Sequence, residues 1–226
     1  MSKLAINGGQ PVRTAPWPKW PQWQAAESKQ LQTVLESGEW GGFNQIVRDF
    51  EAAFAKRHQA KHCFAAVNGT LTLEAALRVV GVGHGDEVIV PAFTWVATAN
   101  VVIHAGAKVV FCDVDPLTFN LDPAKLNACL SPRTKAIMVV HLFGLCADMD
   151  AIRAVAGDIP LIEDAACAAG SAYKGTAAGA LGIMGCFSFH PRKSVTTGEG
   201  GMITTNDDRL GELCANLRNH GASISE

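Results

Sequence analysis

The stretch FSFHPRKSVTTGEGG, Phe187–Gly201, places one lysine, Lys193, between an apolar aromatic run and a glycine-rich turn. The aromatic run is typical of the end of a buried strand, and the glycines are typical of a loop that lets the backbone approach a ligand closely. A lysine that is desolvated in such a setting can lose its proton and act as an amine nucleophile. The alternative is a solvated lysine at a strand terminus, and this stretch alone leaves both open.

The composition predicts a globular α/β protein. The chain has 226 residues, of which 48% are hydrophobic and 18% charged, with 22 glycines, which is long enough for one substantial core. The formal net charge is -2, and no run of basic residues occurs. We therefore expect no nucleic-acid partner, because phosphate recognition needs a basic surface.

The cysteines and histidines predict neither disulfides nor a metal site. The seven cysteines are odd in number and widely scattered, with no C-x-x-C pair, which is typical of reduced thiols in the cytoplasm. His58 and His62 are four residues apart, but a strand is predicted to begin between them, so we expect both on the surface.

One uncharged segment, Val88–Ala107, is long enough to span a bilayer. It contains Pro91, Asn100 and Gly106, so a short β-branched strand, a proline-containing turn and a small-residue helix explain it better. No basic-then-apolar leader precedes a cleavage site at the N-terminus. We therefore expect no membrane association.

The chain divides in the sequence into an arm, residues 1–24, and one large domain, residues 25–226. The arm contains PWPKWPQW, Pro16–Trp23, whose tryptophans we expect to be covered by a partner subunit. Two amphipathic helices, Gln24–Ser37 and Gln45–Ala60, are predicted on either side of the turn GEWGGFN.

From Cys63 onward, short apolar strands alternate with helices. The predicted strands are Cys63–Val67, Glu87–Val90, Lys108–Cys112, Ala136–Val140, Leu161–Glu163, Gly185–Phe189 and Gly201–Thr205. The predicted helices are Leu73–Val80, Ala97–His104, Pro123–Cys129, Asp148–Val155 and Asp208–Arg218. This alternation predicts a largely parallel sheet with helices on both faces, and the last two strands, which have no helix between them, make the sheet mixed.

Ligands of such sheets bind beyond the carboxyl ends of the strands, so the residues there are candidates. The first predicted strand ends in NGT, where Gly69 and Thr70 open a helix whose free N–H groups could bind an anion. The second runs into PAFTW, which offers Trp95 either as a flat ring for a ligand or for core packing.

Two further strands end in polar side chains. LIED ends at Asp164, a carboxylate that either needs a cationic or protonated partner or caps a helix. Ser188 lies on the strand that leads to Lys193. Together, these groups form the set that pyridoxal 5′-phosphate requires: an amine, a carboxylate, a flat ring and an anion site.

At this point the sequence resembles the PLP-dependent sugar aminotransferases of the DegT/StrS type, which have the aspartate-aminotransferase-like fold (fold type I). The segments that carry the resemblance are DFEAAFA, NGT, GDEVIVPAFTW, SPRTKAIMVVHLFG, LIEDAA and FSFHPRKSVTTGEGG. The resemblance implies the three-layer αβα large domain of these enzymes, with a mostly parallel mixed sheet.

The resemblance also implies a role for each candidate. Lys193 would form the internal aldimine and move the proton, and Asp164 would keep the pyridine nitrogen protonated. Ser188, Gly69 and Thr70 would bind the phosphate. The last group, Trp95, would stack on the ring.

The implied reaction moves an amino group from glutamate or glutamine to a keto group of a nucleotide-linked sugar or a cyclitol, in a homodimer. Two features depart from the family: Cys167 stands where relatives usually have glutamine, and the small C-terminal domain of relatives has no counterpart after RNHGASISE.

Three alternatives remain from the sequence. One is an enzyme of the aminohydroxybenzoate synthase type, and the second is a non-catalytic or regulatory protein of the same fold. The third, a nicotinamide dinucleotide enzyme, is disfavoured because the glycines of GVGHGD, Gly81–Asp86, follow a predicted helix and precede a strand, which is the wrong order. The related dehydratases carry histidine in place of the lysine, so Lys193 argues against them.

Overall fold

The computed structural model describes residues 3–222, which divide into two compact units at the bond between Gly38 and Glu39. The first unit contains a 3₁₀ turn, Ala5–Asn7, a proline-rich arm and helix α1, Ala25–Ser37. Three tryptophans of the arm are exposed: Trp17, Trp20 and Trp23. That a partner subunit covers them stays a prediction, as does the border between residues 24 and 25.

The second unit contains a seven-stranded sheet and its helices. The strands of the sheet are β1 (His62–Ala66), β2 (Glu87–Pro91), β3 (Lys108–Cys112), β4 (Thr134–Val140), β5 (Leu161–Asp164), β8 (Met184–Ser188) and β9 (Gly201–Thr205). The helices are α2 (Gln45–Arg57), α3 (Gly69–Val79), α4 (Ala97–His104), α5 (Pro123–Leu126), α6 (Met149–Ala156) and α7 (Asp208–Arg218). A small antiparallel hairpin, β6 (Ala172–Tyr173) and β7 (Thr176–Ala177), lies outside the sheet.

The sheet is mixed and mostly parallel, as expected. Its order is β1-β9-β8-β5-β4-β2-β3, and β9 pairs antiparallel with both of its neighbours, whereas the other pairings are parallel. The connection from β8 to β9, residues 189–200, contains no crossover helix and returns the chain antiparallel to β8, so β9 runs against both of its neighbours. The carboxyl ends of β2, β4, β5 and β8 therefore meet at one edge.

Strand residues alternate between two apolar layers. Val88 and Met138 pack with α3, α4 and α7 on one face, whereas Ile89 and Ile137 pack with α5 and α6 on the other. A third cluster joins α2 to β8 and β9 through Phe54, Phe187 and Met202. The expected three-layer αβα architecture is confirmed.

Helix borders differ from the predictions where a capping residue or a backbone turn decides them. Helix α3 begins at Gly69, four residues earlier than predicted, because the Asn68 side chain accepts a hydrogen bond from the N–H of Leu71. Helix α2 ends at Arg57, because Gln59 adopts a left-handed conformation with φ +54°. The predicted helix from Pro123 to Cys129 is an α-helical turn followed by a 3₁₀ turn.

The surface position expected for His58 is wrong, because this side chain is only 1% exposed. It lies four residues after Phe54 on the same helical face, and the two rings stack at 4.2 Å. Its Nδ1 lies 2.8 Å from the carbonyl oxygen of Ala178. His62 has a partly exposed side chain that contacts Asp208.

The uncharged segment Val88–Ala107 is divided between β2 and α4, as expected. Within residues 3–222, no helix combines the length and the apolar character that crossing a membrane requires.

Candidate functional site

A cavity of about 430 Å³ lies at the carboxyl ends of the parallel strands. It is lined by all six residues that the sequence predicts: Gly69, Thr70, Trp95, Asp164, Ser188 and Lys193. They come from four separate parts of the chain, which the sheet order brings to one edge. Binding at this edge is the general rule for open α/β sheets.

One side of the cavity is formed by the N-terminus of α3 and by Ser188. The side chain of Asn68 accepts from Leu71 N, so the N–H groups of Gly69 and Thr70 keep no intrahelical acceptor. A Cβ at position 69 would lie 2.7 Å from Ser188 Cβ, so only glycine lets the helix end approach this serine. Free N–H groups, a helix N-terminus and a hydroxyl together can bind an anion such as a phosphate.

The carboxylate of Asp164 lies at the end of β5 and is only 5% exposed. Its Oδ2 accepts a hydrogen bond from Thr98 Oγ1 at 2.8 Å, and its Oδ1 accepts one from Ala166 N at 3.2 Å. Burial raises the pKa of Asp164, and these two hydrogen bonds, together with the charge of Lys193, act in the opposite direction. Among the residues that the structure describes, no cation forms an ion pair with this carboxylate.

The helix-capping alternative for Asp164 is not what the structure contains. Residues 165–168 form a turn rather than the start of a helix, and the N–H of Ala168 donates to the carbonyl of Ala165. Asp164 therefore binds one turn N–H and keeps its carboxylate at the wall of the cavity.

Lys193 follows β8 in a turn in which its own N–H donates to the carbonyl of His190 at 2.9 Å. Its Nζ donates to Sγ of Cys167 at 3.2 Å, and both side chains line the cavity. Cys167, flagged in the sequence as unusual, thus contacts the candidate nucleophile directly. His190 also lines the cavity, and its Nε2 lies 4.0 Å from Oε1 of Glu199.

Trp95 lies in the connection between β2 and α4 and is 71% exposed, so it is not a core residue. Its ring lines the cavity, where it could cover one face of a flat ligand. Stacking on a cofactor ring stays a prediction.

Sequence reasoning missed two groups next to the site. Thr98 lies in α4 and donates to Asp164, 66 residues away along the chain. His141, at the end of β4, lines the cavity and donates from Nε2 to the buried Glu163. The signal available for His141 was its position directly after an apolar strand, the same signal that indicated Asp164.

No group of three or more His, Cys, Asp or Glu side chains within residues 3–222 is arranged to hold a metal ion. The seven cysteines are all free thiols.

Comparison with known proteins gives consistent matches over nearly the whole chain. The model of the DegT/DnrJ/EryC1/StrS aminotransferase family matches residues 21–226. An L-glutamine:2-deoxy-scyllo-inosose aminotransferase from Streptomyces lividus is 46% identical over 230 residues, which cover 98% of this chain and 54% of that protein. A GDP-perosamine synthase from Caulobacter vibrioides is 52% identical over 179 residues, 78% of this chain and 48% of that protein.

The crystal structure of a 3-amino-5-hydroxybenzoic acid synthase superimposes with a TM-score of 0.89 at 42% identity, covering 93% of this chain and 56% of that one. The chain spans about half the length of the curated relatives it matches.

Proposed function

Because the chain belongs to the DegT/DnrJ/EryC1/StrS aminotransferase family, we propose that it is the cofactor-binding part of an aminotransferase that uses pyridoxal 5′-phosphate. The proposed reaction transfers an amino group from glutamine or glutamate to a keto group of a cyclitol or a nucleotide-linked sugar. The observation that carries the proposal is the convergence of Lys193, Asp164 and the anion-binding helix end on one cavity. Aminotransferases of this family use this cofactor.

The residues present fit the cofactor in two respects. The N-terminus of α3 is kept free of a side chain at Gly69, so a phosphate could approach its N–H groups and Ser188 together. In addition, Asp164 is a buried carboxylate whose described partners are the neutral donors Thr98 and Ala166. A protonated pyridine nitrogen would supply the cation that such a carboxylate lacks.

When bound, pyridoxal phosphate supplies an electron sink for the negative charge that develops at the donor carbon. Lys193 would supply the amine that holds the cofactor, and its Nζ, which reaches the cavity, would hold or release a proton there. Asp164 keeps a proton on the ring nitrogen. The helix end with Gly69 and Thr70, together with Ser188, anchors the phosphate.

Two substrate classes follow from the relatives. The similarity to an aminotransferase of a cyclitol ketone supports a cyclitol, and the similarity to a GDP-perosamine synthase supports a nucleotide-linked sugar. The structural similarity to a 3-amino-5-hydroxybenzoic acid synthase favours that activity as a second candidate.

We further propose that residues 25–226 form the cofactor-binding domain behind an arm at residues 1–24, that the protein is a homodimer, and that it works in the cytoplasm. Exposed apolar side chains near the cavity, Trp95 and Phe143, support a second subunit at this edge. Seven free thiols support a reducing compartment.

The test is a covalent trap on the purified chain. Pyridoxal phosphate is added, the absorbance spectrum is recorded, and the sample is reduced with borohydride and mapped by peptide mass spectrometry. We expect a visible absorption band and a reduced adduct on Lys193, both absent in Lys193→Ala and retained in Lys125→Ala, which changes an exposed lysine on α5.

An adduct on another lysine, or no band in folded protein, would contradict the proposed role of Lys193 in this chain. A non-catalytic protein of the same fold would give the adduct but release no keto acid when glutamine or glutamate is added to the loaded protein.

A further inference from the structure

Thr98 lies behind Asp164 and is completely buried, with 0% exposure. Its Oγ1 is 2.8 Å from Oδ2 of Asp164, 2.9 Å from Oγ1 of Thr94 and 3.0 Å from the carbonyl oxygen of Trp95. The hydroxyl therefore has three polar neighbours and only one proton to donate.

The position of that proton follows from the acceptors. A carboxylate is a stronger acceptor than a neutral backbone carbonyl, so Thr98 donates to Asp164. Thr94 can either donate or accept, and once the Thr98 proton is engaged, Thr94 donates to the Thr98 oxygen. The result is a chain of hydrogen bonds from Thr94 through Thr98 to Asp164, in which each bond polarises the next.

We propose that Thr98, supported by Thr94, is a positioning residue that fixes the orientation of the Asp164 carboxylate and keeps it ionised. The consequence for the cofactor, a stronger hold on the ring nitrogen, rests on the function proposed above. Thr98 itself does not line the cavity and has no hydrogen bond to Lys193, the candidate nucleophile. It acts through Asp164.

Other groups around Asp164 act on the same carboxylate and must be considered. Lys193 faces it from the turn after β8, and its charge favours the ionised form; a protonated His141, directly after β4, would act in the same direction. Cys186, from β8, is buried close by, and its pKa is raised by burial and by the charge of Asp164. Thr98 supplies the strongest of the influences that lower the pKa of Asp164 against burial.

A purely structural role for Thr98 predicts a different outcome. In that case, the hydroxyl only completes the first turn of α4 by bonding to the carbonyl of Trp95, a common arrangement for threonine. Removing it would then change stability without changing the proton affinity of Asp164.

The experiment is a pH titration of the Asp164 side-chain carboxyl by ¹³C NMR in protein labelled at aspartate, with the resonance assigned by its loss in Asp164→Asn. Thr98→Val keeps the shape and removes the hydroxyl, and we expect the titration midpoint to rise by about one pH unit. Thr98→Ser keeps the hydroxyl and should leave the midpoint unchanged. Thr94→Val, at a half-buried position, should raise the Asp164 midpoint by a smaller amount. If Thr98→Val does not fold, the midpoint in Thr94→Val alone tests the proposed role of this hydrogen-bond chain.

A second titration measures pyridoxal phosphate binding by absorbance, where we expect the Kd of Thr98→Val to be about tenfold higher than that of the unchanged chain. An unchanged Asp164 midpoint in Thr98→Val and Thr94→Val overturns the inference, whether or not the cofactor binds. A raised midpoint in a chain that binds no cofactor supports the role of Thr98 and contradicts the proposed function instead.

Discussion

Glu163 is a completely buried carboxylate next to Asp164, and its replacement by glutamine should be strongly destabilising. Four donors surround its two oxygens: Leu181 N at 2.8 Å and Gly182 N at 2.6 Å from Oε1, and Gly179 N at 2.6 Å and His141 Nε2 at 2.9 Å from Oε2. The three N–H groups belong to residues 179–182, which lie outside any strand, so the Glu163 carboxylate anchors this segment.

Glutamine has almost the same shape but only one acceptor oxygen. If its NH₂ group replaces Oε1, the N–H groups of Leu181 and Gly182 lose their acceptor. If it replaces Oε2, the N–H of Gly179 is left without an acceptor, and His141 Nε2–H either loses its acceptor as well or moves its proton to Nδ1. A proton on Nδ1 would leave the N–H of Ala147 without an acceptor, because that N–H now donates to His141 Nδ1 at 3.2 Å.

Either orientation leaves at least two of the present donors unsatisfied, besides N–H groups of the new amide, and each displaced donor costs about 1–3 kcal/mol. A loss of about 4 kcal/mol corresponds to a fall in Tm of about 8–16 °C for a chain of this size. Thermal unfolding of Glu163→Gln by circular dichroism measures it, with Glu212→Gln on the exposed side of α7 as the control. A difference in Tm below about 2 °C from that control would refute this account of the carboxylate.

Two further outcomes are expected. Burial lowers the pKa of His58, so the unfolded chain binds a proton near pH 6.5 that the folded chain takes up only at lower pH. The free energy of unfolding should therefore fall between about pH 7.5 and pH 5.5. Urea titrations across this pH range measure the free energy of unfolding, which should fall less in His58→Gln than in the unchanged chain. An equal fall in the variant and in the unchanged chain would show that groups other than His58 cause it. In Gly69→Ala, the new Cβ would lie 2.7 Å from Ser188 Cβ, so the Kd for pyridoxal phosphate should rise at least about tenfold. Gly41→Ala, where the added carbon meets no atom within 4 Å, is the matched control, and similar Kd values in both variants would contradict the idea that this approach forms the anion site.

The sequence predicted the sheet and the six candidate residues because each of these features has a local signature. Apolar runs of three to five residues indicated the strands, and a polar side chain directly after such a run indicated Asp164. Thr98 has no such signature, because its partner is 66 residues away and nothing in VATAN distinguishes it from a small-residue helix. The hairpin β6 and β7 was missed because its two-residue strands are too short to show an alternating pattern.

The buried position of His58 was missed for a related reason. The pattern placed the end of the helix at Ala60 and the start of a strand near His62, and both borders suggested solvent. The actual end of α2 at Arg57 keeps His58 on the face of Phe54 and within reach of the Ala178 carbonyl, 120 residues away. A contact over that distance depends on the tertiary fold, which a local pattern does not contain.

The neighbouring carboxylates Glu163 and Asp164 show how the fold, rather than the residue type, assigns a role. They face opposite sides of β5 because side chains alternate along a strand. Glu163 meets four donors from the chain itself, which is as many as its two oxygens can well accommodate, so it has no capacity left for a ligand. Asp164 meets two donors and lines the cavity, so its remaining acceptor capacity is directed at whatever occupies that space. In the sequence alone, Glu163 and Asp164 are adjacent carboxylates with the same chemistry. In the fold, the number of donors around each side chain makes Glu163 an anchor and Asp164 the candidate partner of a cation.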